Sequence, residues 1–290
     1  MCYNSGMSVR VKAYAKLNLT LGITGVDNGW HMLDSLVCSI DVFDLITLSK
    51  RRDGQVTVQM RGMGAEALPP EQNNAYKAAV AYVNRFKTCG ADITVYKNIP
   101  MCAGLGGSSA DAAGVIRGMG RLYGAGSERE LKALADTLGS DTGYMLTGGF
   151  ARLSGRGERV FPIEASARLS LLLLLPPHGV STPLCYKRYD EVPSPPHLSG
   201  NAVSALINGD IPRLGAELNN ALYQPAASLN GDIKTAFEEL SSFSPLGVNM
   251  TGSGSCVYAL FENDEFCRWA KSRYRGKFEC IITKSIIPAL

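Results

Sequence analysis

The chain has 290 residues, 46% hydrophobic and 19% charged, which is the balance of a globular protein with room for one large or two ordinary domains. Its formal net charge of +3 gives no case for nucleic acid, and its longest apolar run, Leu169–Pro177, is about half of what a membrane span needs. Eight scattered cysteines without a Cys-x-x-Cys pair, three separated histidines and a start lacking an apolar signal core exclude a sequence-local zinc site and predict reduced thiols in a cytoplasmic protein.

Val9–Tyr14 and Lys16–Thr24 alternate apolar and polar residues and predict half-buried strands. Strands are also expected at Leu45–Lys50, Gln55–Arg61 and Ala91–Lys97, with a helix over Asn74–Phe86. Ser109–Tyr123 reads as a helix of small residues stopped by Gly124 and Gly126, and Ser127 with Glu130 forms a capping box for a helix ending near Leu138. Strands follow at Gly149–Ser154, Arg159–Ile163 and Leu169–Leu175, then a Pro/Ser/His-rich loop from Val192 to Gly200. The remainder alternates helices (Ala202–Ile207, Ile211–Leu222, Asp232–Ser241, Glu265–Tyr274) with strands (Gly247–Thr251, Cys256–Phe261, Phe278–Lys284). The pattern is mixed α+β and lacks the strict strand–helix alternation of a doubly wound sheet.

Residues 98–113 read N-I-P-M-C-A-G-L-G-G-S-S-A-D-A-A, a glycine cluster between a strand and a helix. Glycines let the backbone approach an anion, exposed N–H groups point at it, and the helix start adds partial positive charge. The spacing is neither a Walker loop nor a G-x-G-x-x-G fingerprint. From these residues alone, a phosphate loop and a tight glycine turn before a closely packed helix both stay open.

The segment P-x-x-A-G-L-G-G-S-S-A-D-A-A resembles the phosphate loop of the GHMP kinases, the superfamily of galactokinase, homoserine kinase, mevalonate kinase and diphosphocytidyl-methylerythritol kinase. Two more of its motifs stand in order, A-K-L-N-L at Ala15–Leu19 and T-G-S-G-S at Thr251–Ser255. Gly29-Trp30-His31, Gly139-Ser140-Asp141, Gly148–Glu158 and Val180–Tyr186 are most similar to the diphosphocytidyl-methylerythritol kinase family, over nearly the whole chain. The resemblance implies a two-domain α+β fold: an N-terminal ribosomal-protein-S5-like unit, residues 1–160, and a C-terminal ferredoxin-like α/β plait, residues 161–290. It implies transfer of the ATP γ-phosphoryl group, with Mg2+, to a hydroxyl of a cytidine diphosphate sugar alcohol.

Carried over residue by residue, the resemblance makes Asp141 the base that deprotonates the acceptor and Lys16 its partner beside the reacting oxygens. Lys16 lies in an otherwise apolar strand, where a charge needs a partner or a ligand. The ATP side would comprise Asn73, Lys97, Pro100, Ala103, Gly104, Leu105, Gly106, Gly107, Ser108, Ser109 and Ala110, with Ser108 or Ser109 meeting Mg2+. The acceptor side would comprise Asn18, a base-recognising Trp30–His31 pair in a loop, Thr182 and Tyr186. The expected partner is a small molecule, with neither nucleic acid nor membrane, for a monomer or weak homodimer.

The chain departs from the family in three places. Trp30 stands where tyrosine is usual, Asp141 precedes Thr142-Gly143 rather than Val-Pro, and Ser108 and Ala110 replace a glycine and a serine. The alternatives are a superfamily kinase of the homoserine or mevalonate type and a catalytically inactive nucleotide-binding relative. Gly29-Trp30-His31 disfavours the first, because those acceptors have no base to stack on; retention of Lys16, Asp141 and the glycine loop together disfavours the second.

Overall fold

Alternation at the start of the chain does produce strands, β1 (Ser8–Asn18) and β2 (Thr20–Asp27), and both pair antiparallel with β3 (Trp30–Lys50). The computed structural model describes residues 7–63, 69 and 72–288. The register of β1 on β3 shifts between Tyr14 and Lys16, where the sequence pattern breaks, so the break is a bulge within one strand rather than a boundary.

The largest correction concerns β3. The sequence places Trp30 and His31 in a loop, but they open a 21-residue strand directly after a tight turn. Asn28 and Gly29 form that turn with φ of 49° and 77°, the left-handed pair that an Asn-Gly hairpin requires. Asp34 through Ile40 are buried on both faces, so this stretch shows none of the alternation by which a half-exposed strand is recognised. β3 also pairs with β1, β2 and three later strands, and the whole forms a 12-stranded sheet.

The chain continues through β4 (Thr57–Gly62), α1 (Asn74–Phe86), β5 (Ala91–Lys97), α2 (Gly107–Tyr123) and α3 (Glu128–Asp136). α1 and β5 fall on the expected residues. α2 begins two residues earlier than expected, and the Ser127–Glu130 capping box forms at α3. A short α4 (Thr142–Thr147), unexpected from the sequence, leads to β6 (Phe150–Gly155), β7 (Arg159–Ile163) and β8 (Ser170–Leu175).

The apolar run of β8 is a strand buried on both faces. Leu171, Leu173 and Leu175 join one hydrophobic core, and Leu172 and Leu174 join a second. Beyond it come α5 (Thr182–Glu191), α6 (Gly200–Ile207), α7 (Ile211–Ala216), β9 (Asn219–Asn220), α8 (Tyr223–Leu229), α9 (Gly231–Ser241), β10 (Gly247–Met250), β11 (Val257–Phe261), α10 (Asp264–Arg273) and β12 (Glu279–Ile286). The expected helix Ile211–Leu222 stops at Ala216, because Asn219 and Asn220 pair with Thr20 and Leu21 of β2. Asn220 then donates to the carbonyls of Met250 and Gly252, a tertiary demand that local propensity does not carry.

Among the described residues Cys38, Cys102, Cys185, Cys256, Cys267 and Cys280 are free thiols, and Cys2 lies outside the described residues. Among the described residues no helix is long and apolar enough to cross a membrane.

α2 lies on the sheet through small residues. A Cβ on Gly118 would stand 2.3 Å from Leu48 Cδ1, so a side chain there would have to displace the buried Leu48 for the helix to keep its approach to β3. Gly118→Val is expected to destabilise the fold by about 1–3 kcal/mol through overpacking, measured as a lowered urea midpoint with an unchanged slope.

Candidate active site

The glycine segment is held from two sides by backbone hydrogen bonds. Lys16 N donates to Leu105 O at 3.0 Å, tying the loop to β1, and Cys256 N donates to Ala103 O at 3.1 Å, tying it to the turn before β11. Gly104 has φ of 77°, and a Cβ there would fall 2.2 Å from Thr251 O. Both facts demand glycine, so A-K-L-N-L, the glycine loop and T-G-S-G-S meet in space. Gly106 (φ 73°) is the N-cap of the 17-residue α2, and no side chain caps its first turn. The N–H groups of that turn are left for an anion.

Lys16 and Asp141 come together at this helix start. Lys16 is buried, and its Nζ lies 3.7 Å from Asp141 Oδ2. Asp141 stands at the start of α4, but its side chain makes no capping bond there, so the carboxylate is not a helix cap. Asn18 is also buried and its amide is fully engaged. Its Oδ1 accepts from Lys16 Nζ and from Gly252 N at 3.1 Å, while Nδ2 donates to Ser35 Oγ at 2.9 Å. Asn18 therefore aims Lys16 and anchors the Thr251–Ser255 turn, rather than reaching outward as the sequence suggested.

On the other side of the loop lies a cavity of about 300 Å3 lined by Asn73, Lys97, Pro100, Gly107, Ser108 and Asp111, among others. Asn73 caps α1, its Oδ1 accepting from Ala75 N at 2.9 Å and Tyr76 N at 3.3 Å. Lys97 is buried between two carboxylates that the sequence reading missed: its Nζ donates to Asp44, and to Asp111 Oδ2 at 2.7 Å. Asp44 also accepts from the N–H groups of Asn98 and Ile99, which fixes the entry to the loop. Burial pulls the Lys97 amine down, but Asp111 and Asp44 outweigh it and its pKa rises. Burial, reinforced by Asp44 and opposed by Lys97, pushes Asp111 up to about 8. Asp111 Oδ1 has no partner. A charged residue in the apolar pattern Val42–Leu45 was the available signal for Asp44.

The two serines diverge. Ser108 lines the cavity with Lys97, whereas Ser109 Oγ would meet a Cβ on Gly139 at 3.9 Å and so lies against the Gly139–Asp141 segment. Ala110 is buried in the core.

The Trp30–His31 pair does not form one platform, because neighbouring strand residues point to opposite faces. His31 packs on Tyr186 with centroids 4.7 Å apart, and its Nε2 lies 2.7 Å from Asp190 Oδ1. Trp30 is 58% exposed and faces Arg156 instead. Burial favours the neutral phenol of Tyr186 and pushes its pKa up, with Asp141 contributing in the same sense, so it stays protonated. Thr182 opens α5 and shares a 2.7 Å hydrogen bond with Ser253 of the T-G-S-G-S turn.

Lys97→Met would leave two buried carboxylates without their cation, so a loss of about 3–5 kcal/mol is expected in urea unfolding. An acid whose folded pKa stands above its unfolded value is destabilising above the unfolded value, and the penalty grows as pH rises toward the folded one. The loss should therefore be larger at pH 8 than at pH 5, and equal losses would contradict this.

The profile described as "GHMP kinases N terminal domain" matches residues 73–151, and "GHMP kinases C terminal" matches residues 202–266. A 4-diphosphocytidyl-2-C-methyl-D-erythritol kinase of Clostridium beijerinckii is 33% identical over 96% of this chain and 100% of its own. That of Pelotomaculum thermopropionicum is 33% identical over 98% and 100%. A crystal structure of 4-(cytidine 5'-diphospho)-2C-methyl-D-erythritol kinase superposes with a TM-score of 0.80 at 30% identity, covering 96% of this chain and 99% of that one. A homoserine kinase from Cytophaga hutchinsonii shares the fold at 18% identity and a TM-score of 0.74, with 99% and 97% covered. With this two-domain α+β architecture and full-length likeness, the chain belongs to the 4-diphosphocytidyl-2-C-methyl-D-erythritol kinase family of the GHMP kinases.

Proposed function

We propose that this chain transfers the γ-phosphoryl group of ATP to the 2-hydroxyl of 4-diphosphocytidyl-2-C-methyl-D-erythritol, a step of the methylerythritol phosphate route to isoprenoid precursors. The observation that carries the reading is the Lys16–Asp141 pair, 3.7 Å apart beside the uncapped start of α2. Phosphoryl transfer asks little covalent chemistry of a protein and mostly needs alignment and charge stabilisation. Asp141 accepts the proton of the acceptor hydroxyl. Lys16 lies against that carboxylate and against the charge that develops on the transferring group.

The donor phosphates rest on Gly104–Ser109, and the adenosine end extends into the cavity of Asn73 and Lys97. In that cavity Lys97 is committed to Asp44 and Asp111. Its role is to hold the loop entry, and the polar edges offered to the nucleotide are Asn73 Nδ2 and the unpartnered Asp111 Oδ1. The base of the acceptor is read by His31 and Tyr186, which supplies the aromatic wall that Trp30 was expected to give. The donor is thus held mainly by residues 1–160, and the acceptor also by the unit 161–290.

Mg2+ fits as a companion of the ATP phosphates rather than as a caged ion. Among the described residues no group of three acidic, His or Cys side chains could hold a metal, whereas the hydroxyls of Ser108 and Ser109 have no protein partner at the helix start. Bound there, the ion would neutralise phosphoryl charge.

With ATP and Mg2+, ADP release is expected with the cytidine diphosphate sugar alcohol and not with homoserine or mevalonate; equal turnover of either would sink the assignment. Asp141→Asn should lower kcat by at least ~100-fold, the low end of general-base catalysis, while ATP binding by calorimetry is retained. Full activity of that variant would remove Asp141 from the base role.

A further inference from the structure

Arg117, on α2, is a half-buried cation, and among the described residues no carboxylate pairs with it. Burial and the neighbouring Arg121 pull its pKa down. What answers its charge is the open end of a helix. Nη2 donates to the carbonyl of Met145 at 3.3 Å and to that of Leu146, in the last turn of α4. The N–H that would continue α4 onto Met145 O belongs to Gly149, and it donates to Ser39 Oγ at 3.0 Å instead. Gly148 and Gly149, with φ of 68° and 78°, turn the chain away toward β6. The guanidinium therefore fills the place of the missing donors and meets the negative end of the helix dipole.

Two hydrogen bonds in series connect this clamp to the base. Met145 N donates to the carbonyl of Asp141 at 2.9 Å, and the carbonyl of Met145 is the one that Arg117 holds. The Met145 side chain lies on the phosphate loop: a Cβ on Gly106 would stand 2.3 Å from Met145 Cε and 3.2 Å from Lys16 Cγ. α4 has six residues, with Thr142 and Gly143 in its first turn, and a helix so short depends on tertiary contacts. Gly143 sits against α3, where a Cβ would stand 2.1 Å from Asp136 Oδ1. Tyr144 ties α4 to its own exit, its hydroxyl donating to Gly149 O at 2.7 Å. Arg117 supplies the tie to α2, the helix that starts at the phosphate loop.

We propose that Arg117 is a positioning residue for the reaction: by clamping the carbonyl end of α4 to α2, it fixes Asp141 relative to the helix start that receives the donor phosphates. This rests on the base and donor roles given under the proposed function. The hydroxyl that Asp141 deprotonates has to stand in line with the γ-phosphoryl group, so carboxylate and loop must keep one separation. The continuous 17-residue α2 is the rigid bar that carries both the loop and the clamp. A guanidinium suits this task, because its N–H groups lie in one fixed plane and Nη2 can serve two carbonyls at once, whereas an ammonium is a point on a flexible stem. The effect of Arg117 on the chemistry passes through Asp141.

A double-mutant cycle in the full chain tests the proposal, with kcat, acceptor KM and calorimetric ATP affinity read for Arg117→Met, Asp141→Asn and the pair. Arg117→Met is expected to lower kcat about 10- to 100-fold, the upper figure being that of a 1 Å misplacement. ATP affinity and acceptor KM should stay at the wild-type values. In the Asp141→Asn background the same substitution should lower kcat no further, since the group it positions no longer takes the proton. Arg117→Lys keeps the charge and loses the fixed plane, so its kcat should fall between wild type and Arg117→Met; it carries the same cycle if Arg117→Met does not fold. Unchanged kcat in the Arg117 variants would overturn the proposal. Equal losses in the two backgrounds would do so too, because Arg117 would then support the fold in general. ATP affinity weakened by the factor lost in kcat would also overturn it, by making Arg117 a support of the phosphate loop. Wild-type activity in Asp141→Asn would overturn the base role and this proposal with it, whereas an impaired Asp141→Asn beside unimpaired Arg117 variants removes this proposal alone.

Discussion

The backbone bonds from Lys16 N to Leu105 O and from Cys256 N to Ala103 O fasten one short loop between a strand near the start of the chain and a turn near its end. The close contact of Gly104 with Thr251 makes this possible, since any side chain there would occupy the space of a carbonyl oxygen. Everything functional in the molecule is measured from that loop. Its far end starts α2, its near end leads back through Asn98 and Ile99 to Asp44, and Lys16 is aimed across it at Asp141. Buried amides and carbonyls must be paired, so the seat is specified once its glycines are in place.

Charge is distributed around the loop in two separate arrangements. Lys97 faces two carboxylates inside a cavity wall, where a buried cation serves to keep acidic groups together and the chain in register. Lys16 faces the partly exposed Asp141 and the amide of Asn18, so its charge is only partly answered by the protein. A cation left in that condition beside an uncapped helix start suits a group that arrives carrying several negative charges. The contrast separates a lysine that maintains structure from one available for chemistry, although both are almost fully buried.

Much of the fold was legible in local pattern. α1, β5 and β7 fall on their expected residues because each has clear periodicity and strong end signals, such as the Asn73 cap. β3 was not, because a strand buried on both faces has no alternation, and the Asn28-Gly29 hairpin signal was the clue passed over. α4, α5 and α8 are short helices whose apolar residues are too few to show a period. The helix expected over Ile211–Leu222 was cut short by pairing with β2, a partner almost two hundred residues distant, which no local window contains.

The sequence by itself determined that a glycine loop precedes a small-residue helix, that a lysine lies in an apolar strand, and that an aspartate follows Gly139-Ser140. Those are consequences of residue type and spacing, and the likeness to GHMP kinases is written in the same residues. Only the tertiary structure decided which groups meet: that Asn18 turns inward to hold Lys16, that Asp44 and Asp111 claim Lys97, and that His31 lies on Tyr186 while Trp30 turns to Arg156. The physical reason is that hydrogen bonds and ring contacts form between side chains adjacent in space, and a β-strand sends neighbours in sequence to opposite faces. Adjacency in the chain joined Trp30 to His31, and the pleat of the sheet separated them.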